Sequence, residues 1–269
     1  MLNTEKRNPN STHIDKMSSL EMAKVIQAEN VPAALAVEKA LPQIAEAIDR
    51  ISERINKGGR LFYVGCGTSG RLGILDASEC PPTYGVSPDM VVGLISGGDK
   101  AIRNAVEGAE DNFEAGYNDI AKYNLTELDS VVGISVAGGA QYVLGSLTAA
   151  KEHDALTVGL TCNEGCKINS FADLYILTDT GAEVITGSTR MKAGTAHKMV
   201  LNMISTAVMI KYGRVYENYM IYIKPVNVKL RDRMIRIVSE IANVSYDEAE
   251  MRLEANNWEI KDAVEKGLN

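Results

Sequence analysis

Five short apolar runs punctuate the middle of this chain: 60–65 (RLFYVG), 90–95 (MVVGLI), 130–136 (SVVGISV), 156–162 (LTVGLTC) and 174–178 (LYILT). None alternates strictly between apolar and polar residues, so each reads as a strand buried on both faces. Helical patterning separates them, most clearly at 99–121 and 140–152. Buried strands alternating with helices imply an α/β fold, a parallel five-stranded sheet covered on both sides in three layers. Such a sheet places ligands at the carboxyl ends of its strands, where the connections diverge.

The flanks are helical. From Ser18 to about Lys57 the pattern is helical, opening on the residues of a capping box, Ser18 with Glu21. Apolar residues then recur at three- and four-residue spacing until "NKGG" stops them. After the fifth run a long helix is expected at roughly 187–212, with Ser188 and Thr189 as its start signal and Gly213 as its stop. Its stretch "MVLNMISTAVMI" is more apolar than one stripe requires, and suits either the core or a contact between subunits. An amphipathic helix follows at 227–240, then two short helices around Asn256-Asn257 that can form a small helical subdomain. The expected division is 1–57 packing on the core, 58–222 as the sheet domain and 223–269 as a C-terminal helical region.

With 269 residues, 45% hydrophobic and 23% charged, there is material for one large core and a small accessory piece. A formal charge of −7 with no Lys/Arg run argues against nonspecific nucleic-acid binding. No run reaches the ~18 apolar residues of a membrane span, and "MLNTEKRNPNSTHID" has no apolar signal core, so a cytoplasmic setting is expected. Four cysteines are too sparse for a disulfide framework. Cys162 and Cys166 have the spacing of half a zinc site, but no second pair follows and His13, His153 and His197 are scattered. No metal is therefore expected.

The first run feeds Gly65-Cys66-Gly67-Thr68-Ser69-Gly70, which fits the dinucleotide pattern G-x-G-x-x-G. Glycines let a ligand approach the backbone, and the N–H groups at a helix start favour an anion. The hydroxyls of Thr68 and Ser69, with Arg71 just beyond, suit a terminal phosphate better than a buried pyrophosphate. A ribose acid is wanted about 20 residues on, and Asp99 is late for it. A phosphate monoester leads, with a dinucleotide and a purely structural turn equally open behind it. Glu79 lies about two turns along the helix beginning at this loop, before Pro81-Pro82, which are expected to end it. Glu110 is one of five acids between Glu107 and Asp119, and by pattern alone it belongs to a solvated acidic face. In "ITGSTRMKAGTAHK", Ser188, Thr189, Arg190 and Lys192 crowd a helix start. Cations there oppose the helix dipole, which suggests that they serve a ligand.

These segments together resemble the N-acetylmuramic acid 6-phosphate etherases of the sugar isomerase (SIS) domain superfamily. The resemblance is carried by "TEKRNPNSTHID", "GCGTSGRLGILDASECPPTYGVSP", "GGDKAIRNAVEGAED", "GAEVITGSTRMKAGTAHKMVLNMISTAVM" and "GRVYENYM", in that order. It implies a three-layer SIS fold and a glycine loop that holds a sugar 6-phosphate rather than a nucleotide. It implies cleavage of a lactyl ether by elimination and hydration without metal or cofactor, with D-lactate as one product. That chemistry needs two carboxyls of tuned pKa. By resemblance, Glu79 is the proton donor and Glu110 the second acid/base, while Gly67, Thr68, Ser69, Arg71, Ser188, Thr189 and Lys192 bind substrate. The fold also implies a homodimer with its site near the subunit interface.

Two departures stand out. Where the family carries Ser-Gly-Arg-Thr-Pro before a Tyr, this chain has Ala137-Gly138-Gly139-Ala140-Gln141 before Tyr142. Tyr222 stands where an Asp is expected. The altered loop keeps two other readings in play: a non-catalytic sugar-phosphate sensor, and an aldose–ketose isomerase on the same fold.

Overall fold

A computed structural model describes residues 1–267. The chain divides into two compact units, one of Met1–Ser78 with Asp89–Val208, the other of Glu79–Pro88 with the chain from Met209 onward.

In the first unit the helical stretch at 18–57 is two helices, α1 (Ser19–Lys39) and α2 (Leu41–Ile55). The expected capping box is present: the Ser18 N–H donates to the Glu21 carboxylate at 2.8 Å, and Ser18 accepts from the Glu21 N–H. Pro42 sits in the first turn of α2, where its missing N–H costs nothing, so the chain restarts there as a new helix. Ile44, Ala47, Ile51 and Ile55 form the buried stripe of α2. Gly59 is required by a close approach, since a Cβ there would lie 1.9 Å from the Leu128 carbonyl oxygen.

The remaining elements alternate. They are β1 (Leu61–Gly65), α3 (Gly67–Tyr84), β2 (Val91–Ile95), α4 (Lys100–Arg103), α5 (Phe113–Ala121), β3 (Ser130–Ile134), α6 (Gln141–Glu152), β4 (Leu156–Thr161), α7 (Ile168–Phe171), β5 (Leu174–Leu177) and α8 (Lys192–Lys211). All five strands are parallel, in the order β2-β1-β3-β4-β5. Residues of β1, β3 and β4 are buried throughout, as continuous apolar runs predict. Gly65 pairs with Ile95 on one side and Ile134 on the other, so β1, β2 and β3 finish level. The strand order reverses between β1 and β3, which makes that gap the expected ligand site.

The helices cover the sheet closely. Phe62, Val64 and Val131 share a core with Tyr142, Val143 and Leu147 of α6. Backbones of α5 and α6 touch through two glycines: a Cβ on Gly116 would lie 1.8 Å from the Tyr142 oxygen, and one on Gly145 2.1 Å from the Phe113 oxygen. On α8, Val200, Leu201, Ile204 and Val208 are buried within the chain, so the apolar excess of this helix serves the core.

Three local expectations are corrected. The stretch 99–121 is not one helix: α4 stops at Arg103, Gly108 adopts a left-handed φ of 71°, and α5 starts afresh where Asn112 accepts from the Ala115 N–H. Pro81-Pro82 do not end α3, which runs on to Tyr84 and stops at Gly85 (φ 63°). Their fixed φ is already helical, and glycine at the left-handed position is the actual terminator. Nor do Ser188 and Thr189 cap α8. It begins at Lys192, and the Glu183 carboxylate accepts from the N–H groups of Lys192 and Ala193, each at 3.0 Å.

The second unit has a hairpin, β6 (Val215–Tyr216) with β7 (Tyr219–Met220), then α9 (Val228–Ala242), α10 (Tyr246–Ala255) and α11 (Ile260–Glu265). Ile221, Met234, Ile235, Val238, Leu253 and Ile260 form its core. The Arg214 guanidinium lies over the rings of Tyr212 and Tyr222, at 4.8 and 4.4 Å. Tyr222 thus gives Arg214 a ring face where an Asp would give it a charge. Among the described residues no helix is long and apolar enough to cross a membrane.

Candidate active site

The turn after β1 and the turn after β3 face each other at the reversal of strand order, and a cleft of two lobes opens there. The first lobe, about 250 Å³, is lined by Gly67, Thr68, Ser69, Ser135 and Thr189 among others. The second, about 230 Å³, is lined by Arg71, Ser96, Asn104 and Glu107 among others. Cys66, Gly67 and Glu110 border both.

The glycine pattern has a steric cause. A Cβ on Gly65 would fall 2.6 Å from the Gly70 nitrogen, and one on Gly70 would fall 2.5 Å from Ile95 Cγ1. Both glycines let the start of α3 press against the strand ends. Gly67, at φ 52°, makes the turn itself. The N–H groups of Ser69 and Gly70 turn back to the Cys66 carbonyl, at 3.1 and 3.4 Å. What faces the first lobe is a helix start and several hydroxyls, a neutral donor set that suits an anion.

Glu110 stands on the loop between α4 and α5, exposed, at the junction of the lobes. The broken helix is what brings it there. Beside it, the Cys66 thiol is pushed up to about 11, chiefly by burial, with the charges of Glu110 and Asp111 adding and the Ser96 hydroxyl opposing. Cys66 is therefore a neutral wall near neutral pH, not a nucleophile. Arg71 donates from Nε to the Ile102 carbonyl at 2.8 Å and from Nη2 to the Asn104 carbonyl at 3.5 Å.

Two of the expected binding residues lie elsewhere. Ser188 lines neither lobe. Lys192 is buried, with Nζ 2.5 Å from Glu29 Oε2. Glu29 also accepts from Asn8 at 2.8 Å and Asn10 at 2.9 Å. Burial opposes its ionisation, but these hydrogen bonds outweigh that and lower its pKa. Glu79 is exposed, farther along α3 in the second unit, and lines neither lobe.

Residues 3–11 bond to the chain around Asn163 and at 182–184, and through Asn163 to Val136, which lines the first lobe. Asn163 accepts from the Asn3 N–H at 2.8 Å and donates to Thr4 Oγ1 at 3.1 Å and to the Val136 carbonyl at 2.9 Å. Asn8 also donates to the Ala182 carbonyl, and Ser11 to that of Val184. The altered turn after β3 has a fixed shape: Gly138 has φ 66°, and a Cβ on it would lie 2.2 Å from Cys166 Sγ. Ala137 lines the lobe with a side chain that carries neither hydroxyl nor charge. His197 lies in the core, with Nε2 3.3 Å from Cys162 Sγ, and does not line the cleft.

Sequence reasoning passed over Ser96 and Ser135. Each directly follows a strand, β2 and β3, so the rule that ligands bind at strand ends was signal enough. Cys66, next after β1, carried the same signal; Asn104 carried none.

Residues 43–151 match the model of the glucokinase regulatory protein N-terminal SIS domain. Among solved structures, phosphoheptose isomerase GmhA from Neisseria gonorrhoeae has the same fold at TM-score 0.54 and 17% identity, covering 71% of this chain and 98% of that one. So does a phosphoheptose isomerase from Francisella tularensis, at TM-score 0.53 and 17% identity, covering 72% and 100%. Closer in sequence is an N-acetylmuramic acid 6-phosphate etherase of Caldanaerobacter subterraneus subsp. tengcongensis, 56% identical over 97% of this chain and 85% of its own length. The protein of that name from Escherichia coli O1:K1 / APEC is 51% identical over 97% and 88%. Identity at that level over nearly the whole of both chains decides the matter: the chain belongs to the N-acetylmuramic acid 6-phosphate etherase family.

Proposed function

We propose that this protein cleaves the lactyl ether of N-acetylmuramic acid 6-phosphate, giving N-acetylglucosamine 6-phosphate and D-lactate. The observation that carries the reading is the cleft at the strand-order reversal: a neutral, hydroxyl-rich lobe at a helix start, with a carboxylate at its border. Gly67, Thr68, Ser69 and Thr189 take the phosphate. The sugar ring opens to its aldehyde, which acidifies the C2 proton. A base removes that proton as the C3–O bond breaks, and lactate leaves with a proton from a general acid. Water then adds to C3 of the unsaturated aldehyde, its hydroxyl going to C3 and a proton returning to C2. By resemblance to the family, Glu79 is the proton donor and Glu110 the second acid/base; Glu110 borders the cleft while Glu79 lines neither lobe, so the Glu79→Gln variant is the direct test of its role.

The test is D-lactate release by the purified protein beside Glu79→Gln and Glu110→Gln. General acid–base groups typically contribute about 10²–10⁴-fold. The reading predicts release by the wild type and losses of that size in both folded variants. No release by a folded wild type would overturn it.

A sugar-phosphate sensor is the second reading. The turn after β3 favours it, because Ala137 to Ala140 bring neither hydroxyl nor charge to the cleft. Binding without turnover would be its signature.

The working form we propose is a cytoplasmic homodimer. On α1, Leu20, Val31 and Leu35 are 64%, 55% and 50% exposed, apolar surface that a second copy would cover. Light scattering that returns the 29.1 kDa of one chain at micromolar concentration would refute the dimer.

A further inference from the structure

We propose that Arg71 receives the lactyl carboxylate of the substrate, in the second lobe of the cleft, apart from the lobe that takes the phosphate. The proposal rests on the etherase reading above and goes past it to how the leaving group is recognised.

The substrate carries two anions on either side of its reacting carbons. The phosphate is on C6, and the carboxylate is on the lactyl group at O3. The cleft has a matching division. Its first lobe offers a helix start and hydroxyls but no cation among the described residues. Its second lobe contains Arg71, the one Lys or Arg lining either lobe among the described residues. With phosphate in the first lobe and the lactyl arm in the second, C2 and C3 fall at the junction, where Glu110 stands.

The state of Arg71 suits the role. Its Nε and Nη2 bond to the carbonyls of Ile102 and Asn104, which fixes the plane of the guanidinium without neutralising it. Glu107 and Glu110 line the same lobe, yet neither forms an ion pair with Arg71. Its Nη1 edge is left without a protein partner among the described residues. A planar fork held in place with its charge unspent is suited to a carboxylate. Without that charge the lobe would hold two acids and no cation, and would repel an anionic arm.

The competing role is structural. Arg71 also covers carbonyls at the end of α4, and on that role its loss would loosen the loop bearing Glu110. The two roles separate when two ligands are compared. N-acetylmuramic acid 6-phosphate has the lactyl group, and N-acetylglucosamine 6-phosphate lacks it. Calorimetric binding of both is measured in a Glu79→Gln background, so that the ether survives the titration, with and without Arg71→Gln. A charged hydrogen bond to the carboxylate predicts roughly a 10- to 100-fold weakening for the lactyl compound. Binding of the compound without it should change less than about twofold, within ordinary surface-mutation effects. Arg71→Lys, which keeps charge but loses the fork, should fall between. Equal weakening of both ligands, or of neither, overturns the proposal. D-lactate release by the wild type is scored separately: selective weakening without any turnover would keep Arg71 as the carboxylate site while the etherase reading failed.

Discussion

Lys192 and Glu29 form an ion pair with both ends out of solvent: the side chains are 5% and 9% exposed, and Nζ lies 2.5 Å from Oε2. This pairing commits the Lys192 ammonium to the scaffold, and Lys192 lines neither lobe of the cleft. Lys192→Met leaves Glu29 buried without its counter-ion and should cost about 3–5 kcal/mol. Urea unfolding checks this. The double variant Glu29→Leu/Lys192→Met should recover much of the loss, because no lone charge remains. A Lys192→Met protein of wild-type stability with weakened sugar-phosphate binding would instead return Lys192 to the site.

In the first lobe, Thr68→Val and Thr189→Val keep shape and remove a hydroxyl. Each removes a hydrogen bond to a charged phosphate, about 1.5–3 kcal/mol, or a rise in KM of tenfold or more. The maximal rate of D-lactate release should change far less, since the phosphate is bound alike before and during reaction. Steady-state kinetics of the two variants read this out.

His197 makes the fold sensitive to acid. Burial pushes its pKa down from 6.5 to about 3. The unfolded chain takes up a proton that the folded chain refuses. The contribution is complete above the unfolded value of 6.5 and is lost as pH falls toward about 3. The loss approaches about 1.4 kcal/mol per pH unit. His197→Leu should show a shallower fall in unfolding free energy between about pH 7 and pH 5 than the wild type, whatever its absolute stability. Parallel slopes would mean that the imidazole takes up its proton as readily in the native protein as in the unfolded chain.

Gly116→Ala tests the contact between α5 and α6. The added carbon would sit 1.8 Å from the Tyr142 oxygen, against backbone that cannot rotate aside. The helices must separate, with a loss of about 2 kcal/mol or more. Thermal unfolding should report it. Lactate release should fall as well, because α5 begins directly after the loop that carries Glu110.

Much of the sheet was legible because β1, β3 and β4 are buried on both faces, and burial writes itself as unbroken apolar runs. The cleft was legible where its lining follows a strand, at Gly67 to Ser69. It was obscured where side chains far apart in sequence decide the outcome. Nothing near Lys192 announces that Glu29, 163 positions away, waits for it; at α8 the obstacle was local, since Ser188 and Thr189 read as the start signal while Glu183, nine residues before Lys192, makes the cap. The break after Arg103 hid inside a helical period: Asn104 turns extended, and left-handed Gly108 follows before α5 starts afresh. Pro81-Pro82 misled in the opposite sense: proline reads as a stop, but a final turn tolerates it when the surrounding helix is already held.

The ties made by residues 3–11 bear on the order in which the protein can be assembled. Asn3 meets a partner 160 positions away, Asn8 one 174 away, and Ser11 one 173 away. Closing loops of that length is entropically costly until the intervening strands have paired. A nascent chain that has released only its first strands has nowhere to put this segment. The segment made early must therefore wait, solvated, until the residues around 163–192 have folded. Bracing of the turn after β3, through Asn163 and Val136, becomes a late event in synthesis, and partly made chains carry a sheet whose strand-end turns are not yet held.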